Sequence, residues 1–517
     1  MRMDIKNFKL NYAILTFLIV IVITLFRFLY ITILPLSADE AYLWVCSRHP
    51  ALSFYDTPPM APYMILISTR LFGNTEFAVR VFVSVFMAAV CYVIYLFSRE
   101  VSGGNEKSAF FSTFMILTIP GFALAGLLSG VEAPLLFFYL LSAYFLYRAI
   151  IKEQPSYWYV AGLTTGLGFL SKYLILFLPM CLLLYLVFTD KKRYLKTSYP
   201  YLFLLIFFLI SCPVVIWNAQ NNWASFLLNF FSRRRSSTAL SINFGNLLKH
   251  IGAQAGIISP FMLIMMVYGF FRMFFEGTIG KNKHMLFLSF FSGPILIFFI
   301  LYALFIEPPA PHWAGIGYLC IIVALPYFIL NNNCSIAIRR FFIISLVTAV
   351  GMTSIIHSIP FTRDFFLRLP INENTKKNFE SFLCNFPSKV GKKLSEIKNI
   401  MKDKDNYFLI GRGFALASYL EFYNKGQETV YMICQRTKVG HGYYFWQDIN
   451  ENIGKNAIFV DEDSRCEDTI KSLFAKVERL PDFEIYNEKG ELLMTFVFYN
   501  CINFKGMEKE KPPVLKR

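Results

Sequence analysis

The chain has 517 residues, of which 56% are hydrophobic and 18% aromatic, and its formal net charge is +16. A soluble domain is usually about 45–50% apolar, so this composition excludes a wholly soluble protein and predicts a polytopic membrane protein with a soluble part. The charge does not predict nucleic-acid binding, because the basic residues cluster in short loops between apolar segments, where they act as topology signals.

Apolar segments long enough to cross the roughly 30 Å of membrane hydrocarbon recur up to residue 358. The first runs from Tyr12 to about Leu34. It is too long for a signal-peptide core and has no small-residue cleavage site, so we interpret it as a retained helix. Ten more are predicted at about 77–97, 108–128, 133–151, 157–170, 172–189, 199–217, 251–271, 285–306, 313–330 and 340–358. The basic residues of alternate loops predict an odd number of spans, eleven, with the C-terminus outside the cytoplasm.

The sequence changes character after residue 358. Lysine-rich, helix-like sequence runs to about Asp405; then NYFLIGRG, TVYMIC and NAIFV are predicted strands, FALASYLEFYNK a helix, and EIYNEKGELLMTFVFY a hairpin. We therefore predict a transmembrane domain over 1–358, with an outer-face loop over 35–76, and a small α/β domain over 359–517 outside the membrane. An oxidising compartment would allow one or two disulfides there, among Cys384, Cys434, Cys466 and Cys501.

The loop after the first span, LPLSADEAYLWVCSRHPALSFYDTPPM, concentrates ionisable residues beside the membrane. Asp39 and Glu40 follow the lipid segment by only a few residues, where charged side chains normally face an aqueous cavity. Two adjacent carboxylates cannot share one helix face, so we expect them to have different partners. Asp56 precedes a stiff Thr-Pro-Pro turn, and APYMILISTRLFG is predicted as a helix lying along the outer surface. The stretch is a suitable cover for a site reached from the bilayer.

Two further outer-face segments could converge on this loop. LLSGVEAPL places Glu132 between the third and fourth spans, and GLGFLSKYLILF places Lys172 between the fifth and sixth. A lysine there can bind a lipid phosphate as a point charge, although a lone lysine at that depth can also simply extend to the interface. Together these residues suit a reaction on a lipid-phosphate-linked substrate. The lysine would bind the phosphate leaving group, and a carboxylate would orient or deprotonate the acceptor.

The same motifs resemble a known enzyme family. DEAYLWVCSRHPALSFYDTPPM, with LFGNTEFAVRV, GLGFLSKY and VIWNAQNNWASF, resembles the polyprenyl-phosphate-sugar-dependent glycosyltransferases of the C-type fold. The similarity is greatest to the lipid A and core sugar transferases for aminoarabinose, galactosamine or galacturonate, and weaker to protein O-mannosyltransferases. The resemblance implies an inverting transferase that moves a sugar from a polyprenyl-phosphate donor to lipid A or another lipopolysaccharide component. It implies an active site and C-terminal domain on the periplasmic side of the bacterial inner membrane, no cofactor, and in many members no need for a metal.

The resemblance also assigns residues to roles. Asp39 matches the catalytic acid of the first outer loop, Glu40 is its neighbour in the motif, and Glu132 stands where relatives commonly have Asp. Lys172 matches the lysine near the donor phosphate, and Arg48 is a second candidate for that phosphate. From the residues themselves, the further candidates for substrate binding are Tyr55, Asp56, His312, Trp313, Arg233 and Arg234. The two outward arginines would attract an anionic acceptor or simply lie in a solvated loop, and Trp313 would otherwise be an aromatic anchor at the membrane interface.

Two alternatives remain beside this interpretation. A protein O-glycosyltransferase of the same fold would differ only in its acceptor. An ion-coupled transporter would carry acids near the middle of its spans and show repeated halves, whereas here the ionisable residues lie at the outer ends and no halves match. The transferase is the prediction, with the sugar and the acceptor left open.

Overall fold

The computed structural model describes residues 11–232, 242–331, 334–362, 372–435, 437 and 440–508. They form two compact units, each assembled from three separate parts of the chain. The first unit takes its residues from Met1–Leu29, Val83–Cys212 and Ser236–His357, and the second from Tyr30–Phe82, Pro213–Arg235 and Ser358–Arg517. One of the divisions lies between His357 and Ser358. The predicted domains over 1–358 and 359–517 stay a prediction. The loop predicted over 35–76 belongs to the same unit as the C-terminal part of the chain.

The helices and strands follow in chain order. Up to Ser358 the helices are α1 Tyr12–Tyr30, α2 Ala38–Arg48, α3 Met60–Phe72, α4 Glu76–Val101, α5 Glu106–Thr118, α6 Pro120–Ala125, α7 Glu132–Ile150, α8 Tyr157–Ser171, α9 Phe177–Phe188, α10 Tyr199–Gln220, α11 Ala224–Phe226, α12 Phe244–Ile258, α13 Pro260–Thr278, α14 Lys283–Phe290, α15 Gly293–Phe305, α16 Gly315–Leu330 and α17 Ile336–Ser358. Beyond it are α18 Glu373–Leu383, α19 Phe386–Ile400, α20 Gly413–Tyr423, α21 Tyr443–Trp446 and α22 Glu467–Leu473. The strands are β1 Tyr407–Arg412, β2 Val430–Ile433, β3 Asn456–Asp461, β4 Phe474–Arg479, β5 Phe483–Tyr486 and β6 Leu492–Phe504. Short helical turns lie at Tyr173–Leu176, Asp190–Lys196, Leu227–Ser232, Pro311–Ala314, Lys404–Asn406 and Ile449–Asn452.

Within the described residues, eight helical segments are long and apolar enough to cross a membrane, or nine if one bent pair is counted as a span. The eight are Tyr12–Tyr30, Glu76–Val101, Glu132–Ile150, Tyr199–Gln220, Pro260–Thr278, Lys283–Phe305, Pro311–Leu330 and Ile336–Ser358, and the bent pair is Tyr173–Phe188 with Asp190–Lys196. The polytopic helical architecture is confirmed; by length and composition the described residues contain eight or nine such segments, where eleven were predicted.

Two of the predicted spans are not long helices. The segment predicted over 108–128 is interrupted at Ile119, whose backbone is extended before Pro120. Proline supplies no N–H to a helix and disfavours helical backbone in the residue before it. The segment predicted over 157–170 forms α8, which has only 15 residues and ends where Lys172 becomes extended. Counting apolar residues cannot detect either break.

Two glycines bring α8 against α10 in the first unit. A Cβ added at Gly162 would lie 2.7 Å from the carbonyl oxygen of Phe203, and one at Gly166 would lie 2.5 Å from the Cβ of Ile210. Both distances are too short for a side chain, and a spacing of four residues puts both glycines on one face of the helix. The close contact fixes α8 beside α10, and therefore fixes the end of α8, where Lys172 lies.

A mixed six-stranded sheet forms the core of the second unit. Its order is β2-β1-β3-β6-β4, and β5 pairs with β6 beside this path. β1 is parallel to β2 and β3, whereas β6 is antiparallel to β3, β4 and β5. The core on one face includes Phe408, Ile410, Ala457 and Phe459. The predicted strands, helix and hairpin are confirmed, but β4 was not predicted, because FAKVER buries only its first residue fully. Within the described residues the structure records no disulfide, so the bridges considered among Cys384, Cys434, Cys466 and Cys501 are not formed in it.

Candidate functional site

A carboxylate, a lysine and a histidine meet in the first unit. Lys172 Nζ lies 2.7 Å from Glu132 Oε1, and His312 Nε2 lies 3.3 Å from the same oxygen. The side chains are 17% exposed at Lys172, 30% at Glu132 and 51% at His312, so the cluster is accessible. Two nitrogens therefore share one carboxylate oxygen, and an incoming anion can replace that oxygen as the partner of the lysine.

The local backbone explains how these side chains reach each other. Glu132 begins α7, and Gly130 makes room for it, because a Cβ at Gly130 would lie 2.7 Å from Glu132 Oε2. Lys172 follows α8 in extended backbone, with φ −160° and ψ 141°. The histidine lies in the short turn before α16, and Gln254 donates a hydrogen bond of 2.9 Å to the carbonyl of Pro311 in that turn. Three separate loops thus converge at the ends of helices.

The remaining substrate-binding predictions for this part of the chain are Trp313, Arg233 and Arg234. Trp313 is half-buried, and its ring is nearly perpendicular to that of His312, at 87° with 6.5 Å between centroids. Trp313 therefore lies beside the charged cluster. Arg233 and Arg234 lie outside the residues that the structure describes.

The adjacent carboxylates of the second unit have different environments. Asp39 is exposed on the first turn of α2, whereas Glu40 is only 1% exposed and forms a two-fold ion pair with Arg80. Arg80 Nε donates to Glu40 Oε1 and Arg80 Nη2 donates to Glu40 Oε2, both at 2.7 Å. Ser37 N–H also donates to Oε2 at 2.8 Å, completing a capping box that begins α2. Glu40, predicted as a catalytic residue, is thus enclosed by groups that position α2.

Arg80 is a structural centre that the sequence analysis did not identify. It is 2% exposed, and besides Glu40 it donates hydrogen bonds of 2.7–2.8 Å to the carbonyls of Ile31, Leu34 and Pro35. These bonds fix the chain where it leaves α1. An arginine in the first turns of a long apolar helix is the sequence feature that indicates such a role, because a charge there needs partners.

Asp56 also ties the loop to the C-terminal part of the second unit. Its Oδ2 accepts a hydrogen bond of 2.6 Å from the hydroxyl of Tyr42, and its Oδ1 accepts one of 3.0 Å from the N–H of Gly440. Burial, and next the charge of Asp56, raise the pKa of Tyr42 far above its usual value, so the phenol is a neutral donor. Tyr55 is fully buried and stacks on Phe445 with centroids 5.6 Å apart. Both were predicted to bind substrate, and in this structure both hold the loop.

Arg48 was predicted to bind the donor phosphate, and it is engaged with α20. Its Nη1 lies 2.9 Å from Glu421 Oε1 and donates to the carbonyl of Gln427 at 2.7 Å, and its guanidinium lies 5.0 Å above the ring of Trp44. The Glu421 side chain is fully buried. Burial raises the pKa of Glu421 to about 7, although the charge of Arg48 opposes that rise. Arg48 therefore joins α2 to α20 in this structure.

The sequence left dependence on a divalent metal open, and that question stays untested. Within the described ranges no group of three His, Cys, Asp or Glu side chains is placed to hold an ion. Activity without a cofactor stays a prediction. The chemistry that the first unit offers is electrostatic: a lysine held by a single carboxylate can bind a phosphate and stabilise a phosphate leaving group.

Comparison with known proteins agrees with the resemblance read from the motifs. Residues 56–217 match the family described as dolichyl-phosphate-mannose-protein mannosyltransferase. This segment includes Glu132, Lys172 and the Asp56-Thr-Pro-Pro turn. The chain resembles the C-type-fold glycosyltransferases that use polyprenyl-phosphate sugars, and among them the modifiers of lipid A.

Particular relatives can be named. The lipid A galacturonosyltransferase RgtD of Rhizobium johnstonii is 25% identical over 285 residues, which are 54% of this chain and 58% of the relative. The chain thus matches less than two thirds of that relative's length. The crystal structure of ArnT from Cupriavidus metallidurans bound to undecaprenyl phosphate has a TM-score of 0.66 at 12% identity, covering 96% of this chain and 99% of ArnT. The oligosaccharyltransferase AglB from Archaeoglobus fulgidus, in complex with an inhibitory peptide and a dolichol-phosphate, has a TM-score of 0.51 at 10% identity, covering 93% of this chain and 74% of AglB. The structural similarity to ArnT and to AglB establishes the fold.

Proposed function

We propose that this chain is an inverting glycosyltransferase that transfers a sugar from a polyprenyl-phosphate donor to lipid A or another lipopolysaccharide component. The reaction takes place at the outer face of the bacterial inner membrane, and the C-terminal segment is periplasmic. The similarity to RgtD and the match of residues 56–217 support the class of reaction. The observation that carries the proposal is the accessible Lys172, held by a single carboxylate oxygen of Glu132.

In the proposed reaction the donor phosphate takes the place of Glu132 as the partner of Lys172. The acceptor oxygen attacks the anomeric carbon while the bond from that carbon to the phosphate oxygen breaks. Polyprenyl phosphate leaves with the bonding electrons, and Lys172 stabilises the charge that develops on it. Glu132 keeps His312 as a partner, so its carboxylate does not become isolated when the lysine changes partners. Asp39 remains the predicted general base for a hydroxyl acceptor.

The test of this proposal is transfer by Lys172 variants. Membranes containing the full chain receive lipid A and, in separate reactions, polyprenyl-phosphate donors carrying galacturonic acid, aminoarabinose or galactosamine. Lys172→Ala should lower the rate by about 10²–10³-fold, as expected for loss of one electrostatic group at the leaving oxygen. Lys172→Arg should retain part of the rate, because it keeps the charge with a different geometry. The matched control is Lys192→Ala, which removes an exposed lysine from the turn after α9.

Full activity in Lys172→Ala, with the control also active, would reject the lysine as the phosphate ligand. Failure of the wild-type protein with all three donors would count against the proposed donor class. Mass spectrometry of lipid A from cells with and without the gene then identifies the sugar and the site of addition.

A protein acceptor is the second candidate, because the matching family is described as a protein mannosyltransferase. The same cells distinguish the two. If the gene changes the mass of periplasmic proteins and leaves lipid A unchanged, the acceptor is a protein hydroxyl.

A further inference from the structure

A cavity of about 410 Å³ opens in the second unit and shares no residue with the Glu132–Lys172–His312 cluster. Small-molecule sites in proteins are roughly 300–1,000 Å³, so the cavity has room for a ligand of a few rings at most. Its wall includes the end of α2, the end of α10 and the short helix α21. No role was predicted for this cavity from the sequence.

Aromatic rings form much of the wall. The His49 ring lies parallel to the Trp446 ring, at 13° with 5.4 Å between centroids, and Trp217 packs against Phe445 at 5.2 Å. Burial, and then the charge of Arg48, lower the pKa of His49 to about 4, so its ring is uncharged at neutral pH. Aromatic faces are electron-rich, and they attract the weakly positive C–H groups on one side of a sugar ring. The wall is therefore suited to a flat ring with exposed C–H groups.

Polar groups on the same wall have unused hydrogen-bonding capacity. Ser53 is fully buried, and neither its hydroxyl nor the buried indole N–H of Trp446 has a hydrogen-bond partner among the residues that the structure describes. Leaving such a group unsatisfied costs about 1–3 kcal/mol. Asn221 donates its amide N–H to the carbonyl of Trp217 at 2.8 Å, which leaves its side-chain oxygen as an acceptor. A ligand that both donates and accepts would satisfy all three side chains.

The backbone beside Asn221 is strained in a way that suits a binding site. Asn222 and Trp223 both have left-handed backbone, with φ of 53° and 59°. Two such residues in succession are uncommon without glycine, and such strain concentrates at ligand sites. The Trp223 N–H donates a hydrogen bond of 2.7 Å to the carbonyl of Asn218. This bond holds the turn and hence the position of Asn221.

We infer that this cavity binds one pyranose ring of the acceptor glycan. The ring stacks on the aromatic wall, and its hydroxyls bond to Ser53, Asn221 and the indole of Trp446. A donor sugar is attached directly to a phosphate and would need a cation beside the ring. The cation on this wall, Arg48, is already engaged by Glu421 and by the carbonyl of Gln427. That the ring belongs to the acceptor rests on the proposed function, whereas the binding of a sugar does not.

Binding is tested with the full chain in detergent, by saturation-transfer NMR with three probes: the methyl β-pyranosides of glucose, galactose and glucosamine. Ser53→Ala removes one hydroxyl and nearly keeps the shape of the wall, whereas Trp446→Phe removes the indole N–H together with part of the aromatic face. Each should raise the dissociation constant of the probe that binds by about threefold to tenfold. The matched control is Ser472→Ala, which removes an exposed hydroxyl from α22.

The site is supported if a probe binds saturably, both variants weaken that binding, and the control variant does not. The proposal is overturned if none of the probes binds, if neither variant weakens the binding, or if inorganic phosphate binds in place of the probes. Transfer is measured on the same proteins. If the wild type binds a probe and transfers no sugar, the proposed function fails and the sugar site stands. If transfer proceeds and the variants leave the KM of the acceptor unchanged, the assignment to the acceptor fails.

Discussion

Replacing Glu40 by Gln removes the charge that Arg80 faces while keeping the size of the side chain. The pair is joined by two charge-assisted hydrogen bonds of 2.7 Å, and both side chains are at most 2% exposed. Each such bond contributes about 1.5–3 kcal/mol, and breaking a buried pair from one side costs about 3–5 kcal/mol. Glu40→Gln should therefore lower the free energy of unfolding by about 3–5 kcal/mol. The neighbouring change Asp39→Asn affects an exposed group on the first turn of α2 and should cost only about 0.3–1 kcal/mol.

Both variants are measured by unfolding in detergent with increasing SDS, and by transfer per folded molecule. Glu40→Gln should be unstable yet retain transfer once only folded molecules are counted, as expected of a residue that positions α2. Asp39→Asn should be stable and, with a hydroxyl acceptor, lose about 10²–10⁴-fold in rate, the usual contribution of a general base. If Glu40→Gln is as stable as the wild type and inactive, Glu40 acts in the chemistry and the reasoning from burial is wrong.

The remaining predictions concern packing, pH and topology. Gly162→Ala should destabilise the first unit by about 1–3 kcal/mol, because its new Cβ would meet the Phe203 carbonyl. The control is Gly256→Ala, where no atom lies within 4 Å of the new Cβ, and it should be neutral or stabilising. Equal effects of the two variants in SDS unfolding would contradict the close contact at Gly162. The folded-state pKa of Glu421, about 7, is raised above its usual value of 4.5, so the protonated side chain favours the folded protein. This contribution to the free energy of unfolding is fully present below about pH 4.5 and is lost as the pH rises through about 7. Stability should thus fall by about 3 kcal/mol over that range, and Glu421→Gln should remove the fall; an unchanged slope in the variant would assign it to other groups. Alkaline phosphatase fused after residue 370 should be active, because the basic inner loops predict a periplasmic C-terminal segment, and an inactive fusion that is present at normal level would reject the outer site.

Local sequence patterns predicted most of the helices and strands, but they could not predict which residues far apart in the chain form pairs. Periodicity identified β1, α20 and the β5–β6 hairpin, because each is defined by its own apolar residues. The segments that contain Glu132 and Lys172 were predicted to converge on the loop that carries Asp39. The structure brings Glu132 and Lys172 within 2.7 Å of each other, and their convergence on the loop stays a prediction. The partner of Glu40 is 40 residues away and that of Arg48 is 373 residues away. No spacing rule connects such positions, so Arg80 and Glu421 emerged only from the structure.

The interleaving of the two units has a consequence for the synthesis of the protein. Asp56 bonds to the N–H of Gly440, which is 384 residues further along the chain. At a translation rate of about 5–20 residues per second, roughly 20–80 s pass before that partner exists. During this interval the loop that carries Asp39 and Arg48 has left the ribosome without the helix and turn that later hold it. Neither unit can be produced as one continuous fragment, and a C-terminal truncation would leave the loop near the first span without its bonds to α20 and to the turn at Gly440.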